Sequence, residues 1–194
     1  MDSALEITVL LLTICSLHVA AYPNGKVEVA CSTMEPNHGT SAQTSPSPYS
    51  LNVSNTTYGD GENITVTLSN TSVVPPFEGF LIQARAVGGN TPLGTFKVSD
   101  NVTQTLKCGT ANSAVSHTSN NEKTLIQVTW TGPNIRSSAY EIRATVVQNT
   151  TIYWVNVRSS KITYTGSGGF RLLAPALNQL LLSTSALILA LLAV

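Results

Sequence analysis

Charge is what this sequence has least of. Only 10% of its 194 residues are Asp, Glu, Lys or Arg, ten of each sign, and the net charge is zero. Soluble domains usually carry about 25%. Neutrality excludes a polybasic nucleic-acid binder or an acidic tail as the main theme, so no nucleic-acid partner is expected. Catalytic patterns are missing too. No G-x-S-x-G elbow occurs, and Gly88-Gly89 reads as a hairpin turn rather than a phosphate loop. The acidic residues Glu35, Asp60, Glu62, Glu78, Asp100, Glu122 and Glu141 lie among turns and polar strand faces, and no spacing pairs two of them. No enzyme activity, catalytic residue or cofactor is therefore expected. Two cysteines and two histidines of the folded part, at unrelated spacings, match no zinc pattern, and no metal site is predicted.

What is present begins at the ends. Ile7 to Leu17 is an apolar run broken only by Thr8, Thr13, Cys15 and Ser16. It is shorter than the ~20 residues that span a bilayer. Val19-Ala20-Ala21 then supplies small residues at a cleavage site, so residues 1–21 read as a secretory signal peptide. Its first residues carry Asp2 and Glu6 and no basic residue, against the usual pattern. At the other end, Gly166 to Gly169 is a run of small residues, 170–179 a spacer, and 180–194 an apolar tail. That order is the grammar of a GPI anchor, with Ser167 as attachment residue and Gly166 as second choice. The competing reading is one membrane helix over Leu172 to Val194, although no Lys or Arg follows it. The expected division is 1–21 signal peptide, 22–165 folded domain, 166–179 small-residue site and spacer, and 180–194 tail. The expected location is the outer leaflet of the cell surface; a single-pass or secreted protein is the alternative.

The middle of the chain fits that compartment. Cys15 leaves with the signal peptide, so Cys31 and Cys108 remain and one disulfide is the default. Six N-x-S/T sequons occur, at Asn52, Asn55, Asn63, Asn70, Asn101 and Asn149. In a secreted chain they read as N-glycosylation sites, although not all six need be occupied. Glycans would hydrate a surface that has few charges.

Between Val27 and Tyr164 no helical period is convincing, and period-two alternation recurs instead. It is clear at Ile64 to Leu68, Phe80 to Arg85, Ile126 to Trp130 and Ile142 to Val146. Weaker runs sit at Val27-Ala30, Tyr49-Val53, Phe96-Val98, Thr105-Cys108, Val115-Thr118 and Tyr153-Val157. Turn signals at Tyr58-Gly59-Asp60-Gly61, Pro75-Pro76, Gly88-Gly89-Asn90 and Gly132-Pro133-Asn134 separate them. The pattern predicts an all-β, immunoglobulin-like β-sandwich whose strands each face the core on one side and water, through threonines, on the other. Antibody-type domains place Trp between their cysteines. Here Trp130 and Trp154 both follow Cys108, so the disulfide is not the usual one.

The landmarks come in a recognisable order. Cys31, Met34, Pro36, His38 and Gly39 precede Ser47-Pro48-Tyr49; Tyr58 and Gly61 precede the block Phe77 to Arg85; then follow Gly94, Phe96, Cys108, Val115-Ser116-His117, Lys123, Trp130, Ala144 to Val147 and Trp154. This resembles the reeler (reelin N-terminal) domain over about Val27 to Tyr164. The resemblance implies an immunoglobulin-like sandwich. It also implies two kinds of relative: ferric-chelate reductases, and small insect defence proteins that bind microbial surfaces. The reductases carry a haem-binding membrane module after this domain. About 30 residues follow Tyr164 here, with no histidine among them, so iron reduction by this chain alone is not expected.

Individual residues divide into plain and sharp readings. His38 and His117 are expected to hydrogen-bond in loops; the sharper alternative is a shared metal site. Arg85 either pairs at the surface or touches a ligand, and the sequence does not choose. Trp130, Trp154, Tyr153 and Phe80 are expected in the core rather than as carbohydrate platforms. The leading function is a recognition module for an extracellular ligand, a microbial polysaccharide or lipid, held to the membrane through the C-terminal anchor. Behind it stand an accessory that meets a host protein, and a metal or redox accessory.

Overall fold

Alternating residues become strands with one apolar face. In the computed structural model, which describes residues 22–135 and 138–166, β3 (Asn63–Ser69) buries Ile64, Val66 and Leu68 while Asn63 and Thr65 meet solvent. It pairs antiparallel with β8 (Leu125–Thr131), so that Ile64 faces Trp130, Val66 faces Val128 and Leu68 faces Ile126. With β1 (Ser50–Val53) and β5 (Thr95–Lys97) at its edges, this sheet runs β1-β3-β8-β5.

The larger sheet contains β2 (Thr57–Tyr58), β4 (Gly79–Ala86), β6 (Thr103–Cys108), β7 (Thr110–His117), β9 (Ala139–Val147), β10 (Tyr153–Arg158) and β11 (Ile162–Tyr164). Its order is β2-β11-β9-β4-β7-β6, with β10 also on β9. All the pairings are antiparallel except β11 with β2. The two sheets close over one core. The smaller gives Leu51, Val66, Leu68, Phe96, Val128 and Trp130; the larger gives Phe80, Ile82, Ala84, Val115, Tyr140, Ile142 and Ala144. The architecture is the expected all-β sandwich.

Two local expectations fail. Val27-Ala30 is not a strand: Ala30 and Cys31 donate to the Val27 and Glu28 carbonyls, forming a 3-10 turn over Glu28–Ala30. This segment lies across the face of a sheet, where no strand edge is available to pair with. The expected wet face is likewise missing on β4 and β9. Leu81, Gln83 and Arg85 on β4, and Glu141, Arg143 and Thr145 on β9, are all buried. The strands are covered because residues 22–48 form a strap over the outer face of the larger sheet. A second apolar cluster seals it, in which Ala30 and Met34 pack with Leu81, Leu106, Cys108 and Ala114.

Candidate functional site: a cleft under the N-terminal strap

The strap is fastened at several points. Cys31 and Cys108 are disulfide-bonded, with Cα atoms 5.3 Å apart and 77 residues between them in sequence. Gln83 Nε2 donates to the Cys31 carbonyl at 3.0 Å. Arg85 Nη2 donates to the carbonyls of Cys31 at 2.9 Å and Ser32 at 3.1 Å. Thr145 Oγ1 donates to the Met34 carbonyl, and Gln104 Nε2 to those of Asn24 and His117. Further along, Tyr153 donates its hydroxyl proton to the Thr40 carbonyl at 2.6 Å. Arg85, left open by the sequence, is thus a clamp on the strap.

The strap does not lie flat everywhere. Between its arms at 22–30 and 33–38, a cleft of about 470 Å³ opens. Tyr22, Pro23, Val27 and Val29 line it from the first arm, Met34, Pro36 and His38 from the second, and Leu81, Thr145 and Val147 from the sheet. Glu78, His117, Asn120 and Thr150 add polar groups, as do Thr33, Glu35 and Asn37 of the second arm. The lining is mainly apolar with a few polar groups, the composition typical of a pre-formed small-ligand site. Val29, 74% exposed, stands at its edge.

Both nominated histidines line this cleft. His117 Nδ1 accepts the Phe80 N–H at 3.1 Å, and its Nε2 lies 3.3 Å from the Tyr22 carbonyl oxygen, a donor position that the Nε2–H tautomer fills. Its ring packs so tightly over Gly79 that a Cβ there would stand 3.0 Å from His117 Cε1. His38 sets its ring edge-on to Tyr153 at 5.9 Å, and its Nδ1 is buried without a partner. Among the described residues no three His, Cys, Asp or Glu side chains gather as metal ligands. Lys123, read only as a landmark in the sequence, fixes the loop beside the cleft. Its Nζ donates to the carbonyls of Asn121 at 2.5 Å, Ser119 at 2.7 Å and Glu78 at 2.8 Å. Burial lowers its pKa, opposed by Glu78.

Burial also pushes the His117 pKa below its usual value; the Phe80 backbone bond opposes this, and nearby Lys123 adds to it. As pH falls through the unfolded value of about 6.5, the unfolded chain takes up the proton first. Stability that is present above that pH is then lost on acidification. The midpoint of thermal unfolding should therefore fall between pH 7.5 and 5.0, and fall less in His117→Gln. An equal fall in both proteins would remove His117 from the account.

Trp130, Trp154, Tyr153 and Phe80 are buried, as core residues. Asn52 lies on β1, Asn55 just after it, Asn63 opens β3 and Asn70 follows it, so four sequons gather along one side of the smaller sheet. Asn101 is exposed between β5 and β6, and Asn149 lies in the turn between β9 and β10, next to Thr150 of the cleft. Residues 1–21, the attachment residue Ser167 and the tail 180–194 lie outside the described residues; among those described, no helix is long and apolar enough to cross a membrane.

A two-sheet sandwich with a disulfide-pinned strap over one face defines a small, self-contained β-domain class. Within it, residues 29–169 match the model of the Reeler domain, and the chain belongs to that family. It is 39% identical over 163 residues to ferric-chelate reductase 1 of Mus musculus, covering 82% of this chain and 27% of that protein. It is 31% identical over 159 residues to a Bombyx mori protein named "Putative defense protein", covering 79% of this chain and 92% of that one. The chain thus spans about a quarter of the length of its reductase relatives. The crystal structure of the Reelin-N domain of F-spondin superposes with a TM-score of 0.56 at 23% identity, over 73% of this chain and 99% of that one. That likeness concerns the fold.

Proposed function

We propose that this chain is a non-enzymatic, extracellular glycoprotein that recognises microbial-surface amphiphiles, in an innate-defence role, through the cleft under the strap. One observation carries the reading: a mainly apolar cleft of about 470 Å³ lies on the opposite sheet from the side where four sequons gather. Glycan on Asn52, Asn55, Asn63 and Asn70 leaves that cleft open, while a glycan on Asn149 would stand at its Thr150 edge. The near full-length likeness to an insect protein named for defence supports the role. The reductase relatives are matched over a quarter of their length, so their activity is not carried to this chain.

The test is capture of lipopolysaccharide, lipoteichoic acid and β-glucan by the protein from a secretory host. Val29→Asp places a charge at the cleft edge on a residue already in water, so the fold is kept. It should weaken capture about tenfold, the effect expected when an apolar contact is replaced by an unpaired charge. No capture of any of these by the parent protein would end this reading.

Anchorage at Ser167 through GPI is part of the same proposal. Phospholipase C should release the protein from expressing cells, with a mature C-terminus at Ser167 in the mass spectrum. Retention with 180–194 intact would establish a membrane helix instead.

A further inference from the structure

Past the Cys31–Met34 crossing, the outer face of the larger sheet changes character. Three guanidinium groups collect there around a single carboxylate. Arg143 Nε donates to Glu141 Oε1 at 2.8 Å, and Arg158 Nη1 donates to the same oxygen at 2.8 Å. In the strand register Arg143 faces Arg158 across β9–β10, and Arg85 faces Glu141 across β4–β9. Burial lowers the Arg85 pKa, and the nearby Arg143 charge adds to that effect. Arg85, Arg143 and Glu141 are all at least nine-tenths buried. Among the described residues no second carboxylate comes within ion-pair distance of any of the three arginines.

Buried charge of one sign calls for compensation. Arg85 finds part of it in Gln83 Oε1 and the Cys31 and Ser32 carbonyls, through Nε and Nη2. Its Nη1 makes no hydrogen bond to a described atom, nor do Nη1 and Nη2 of Arg143, nor Nε and Nη2 of Arg158. These nitrogens are not walled off. Among the described residues, the buried side-chain polar atoms without a partner are His38 Nδ1 and Tyr140 Oη. None of the unused arginine donors is among them, and Arg158, its side chain 46% exposed, opens the group to solvent. Forked donors of this kind match the oxygens of a tetrahedral oxyanion, and the partial burial strengthens each bond.

We propose that Arg85, Arg143 and Arg158 form a binding site for a phosphate-type oxyanion, either the free ion or a phosphomonoester headgroup. The site lies beyond the strap crossing from the cleft and stands independently of the function proposed there. Glu141 holds Arg143 and Arg158 in place and at the same time repels the anion.

The test is calorimetric titration of the full chain, from a secretory host, with inorganic phosphate against chloride at matched ionic strength. Vesicles of phosphatidylcholine with and without phosphatidic acid form the second arm. Saturable binding is expected, with one anion per chain. Arg158→Gln, on a side chain that is 46% exposed, should weaken it about tenfold, the loss expected for one charge-assisted contact. Glu141→Gln keeps the shape, removes the competing charge and should tighten it. Binding of phosphate alone assigns the free ion, and binding to phosphatidic acid vesicles assigns the headgroup; either supports the site. No saturable binding in either arm, or binding that Arg158→Gln and Glu141→Gln both leave unchanged, overturns it.

Discussion

Removing the disulfide, as Cys31→Ala with Cys108→Ala, should lower unfolding free energy by about 4 kcal/mol, the loop-closure value for a span this long. The two cysteines are 77 residues apart, and the crosslink pins the strap to β6. The remaining fasteners are hydrogen bonds from Gln83, Arg85, Gln104, Thr145 and Tyr153, each contributing about 1 kcal/mol net, or somewhat more where the donor is charged. They hold the strap only while the sheet beneath is intact. Urea denaturation measures the loss, and limited proteolysis locates it: cleavage should appear first within 22–48. A change below about 1 kcal/mol would mean that the hydrogen bonds and the Ala30–Met34 packing suffice without the crosslink.

A second large effect is expected at Trp130. Its side chain is fully buried on β8, and its Nε1 donates to the Leu93 carbonyl at 3.0 Å. Tyr58 and Tyr140 pack against the ring at centroid distances of 5.5 and 5.8 Å. Trp130→Ala removes this volume where both sheets meet and should cost about 3–5 kcal/mol. Trp154→Ala is the useful comparison. That ring is 8% exposed, and its Nε1 reaches only Ser45 Oγ at 3.4 Å, so the loss should be smaller. Equal losses in thermal or urea unfolding would contradict this assignment of the centre of the core.

Sequence alternation marks out β3, β4, β8 and β9 clearly, but only β3 and β8 of these keep one wet face. In β3 and β8 the threonines and Gln127 point away from the core, so period two is undisturbed. In β4 and β9 the same alternation is present, but its polar half is buried. Gln83, Arg85, Glu141 and Arg143 look like surface residues because nothing local announces the cover. That cover comes from residues 22–48, which are distant in sequence and mostly without regular structure. β2 and β11 were illegible because two or three residues carry no period. The cleft was hidden for a related reason: it exists only between two arms of the strap and the sheet. The sequence places His38 and His117 in loops, whereas His117 ends β7, and the common feature that joins them, the cleft lining, is a tertiary one.

The parallel contact between β11 and β2 has a mechanical consequence. β11 is the last strand described before the chain continues past Gly166, so tension on that side enters the fold through it. Thr163 and Thr165 donate their N–H groups to the Thr56 and Tyr58 carbonyls, each at 2.9 Å, while β9 grips the opposite edge. Pulling along this strand loads both neighbours in shear, so the bonds must yield together rather than unzip one by one. A domain tethered from this side is gripped by its larger sheet, and the strap and its cleft stay outside the line of force.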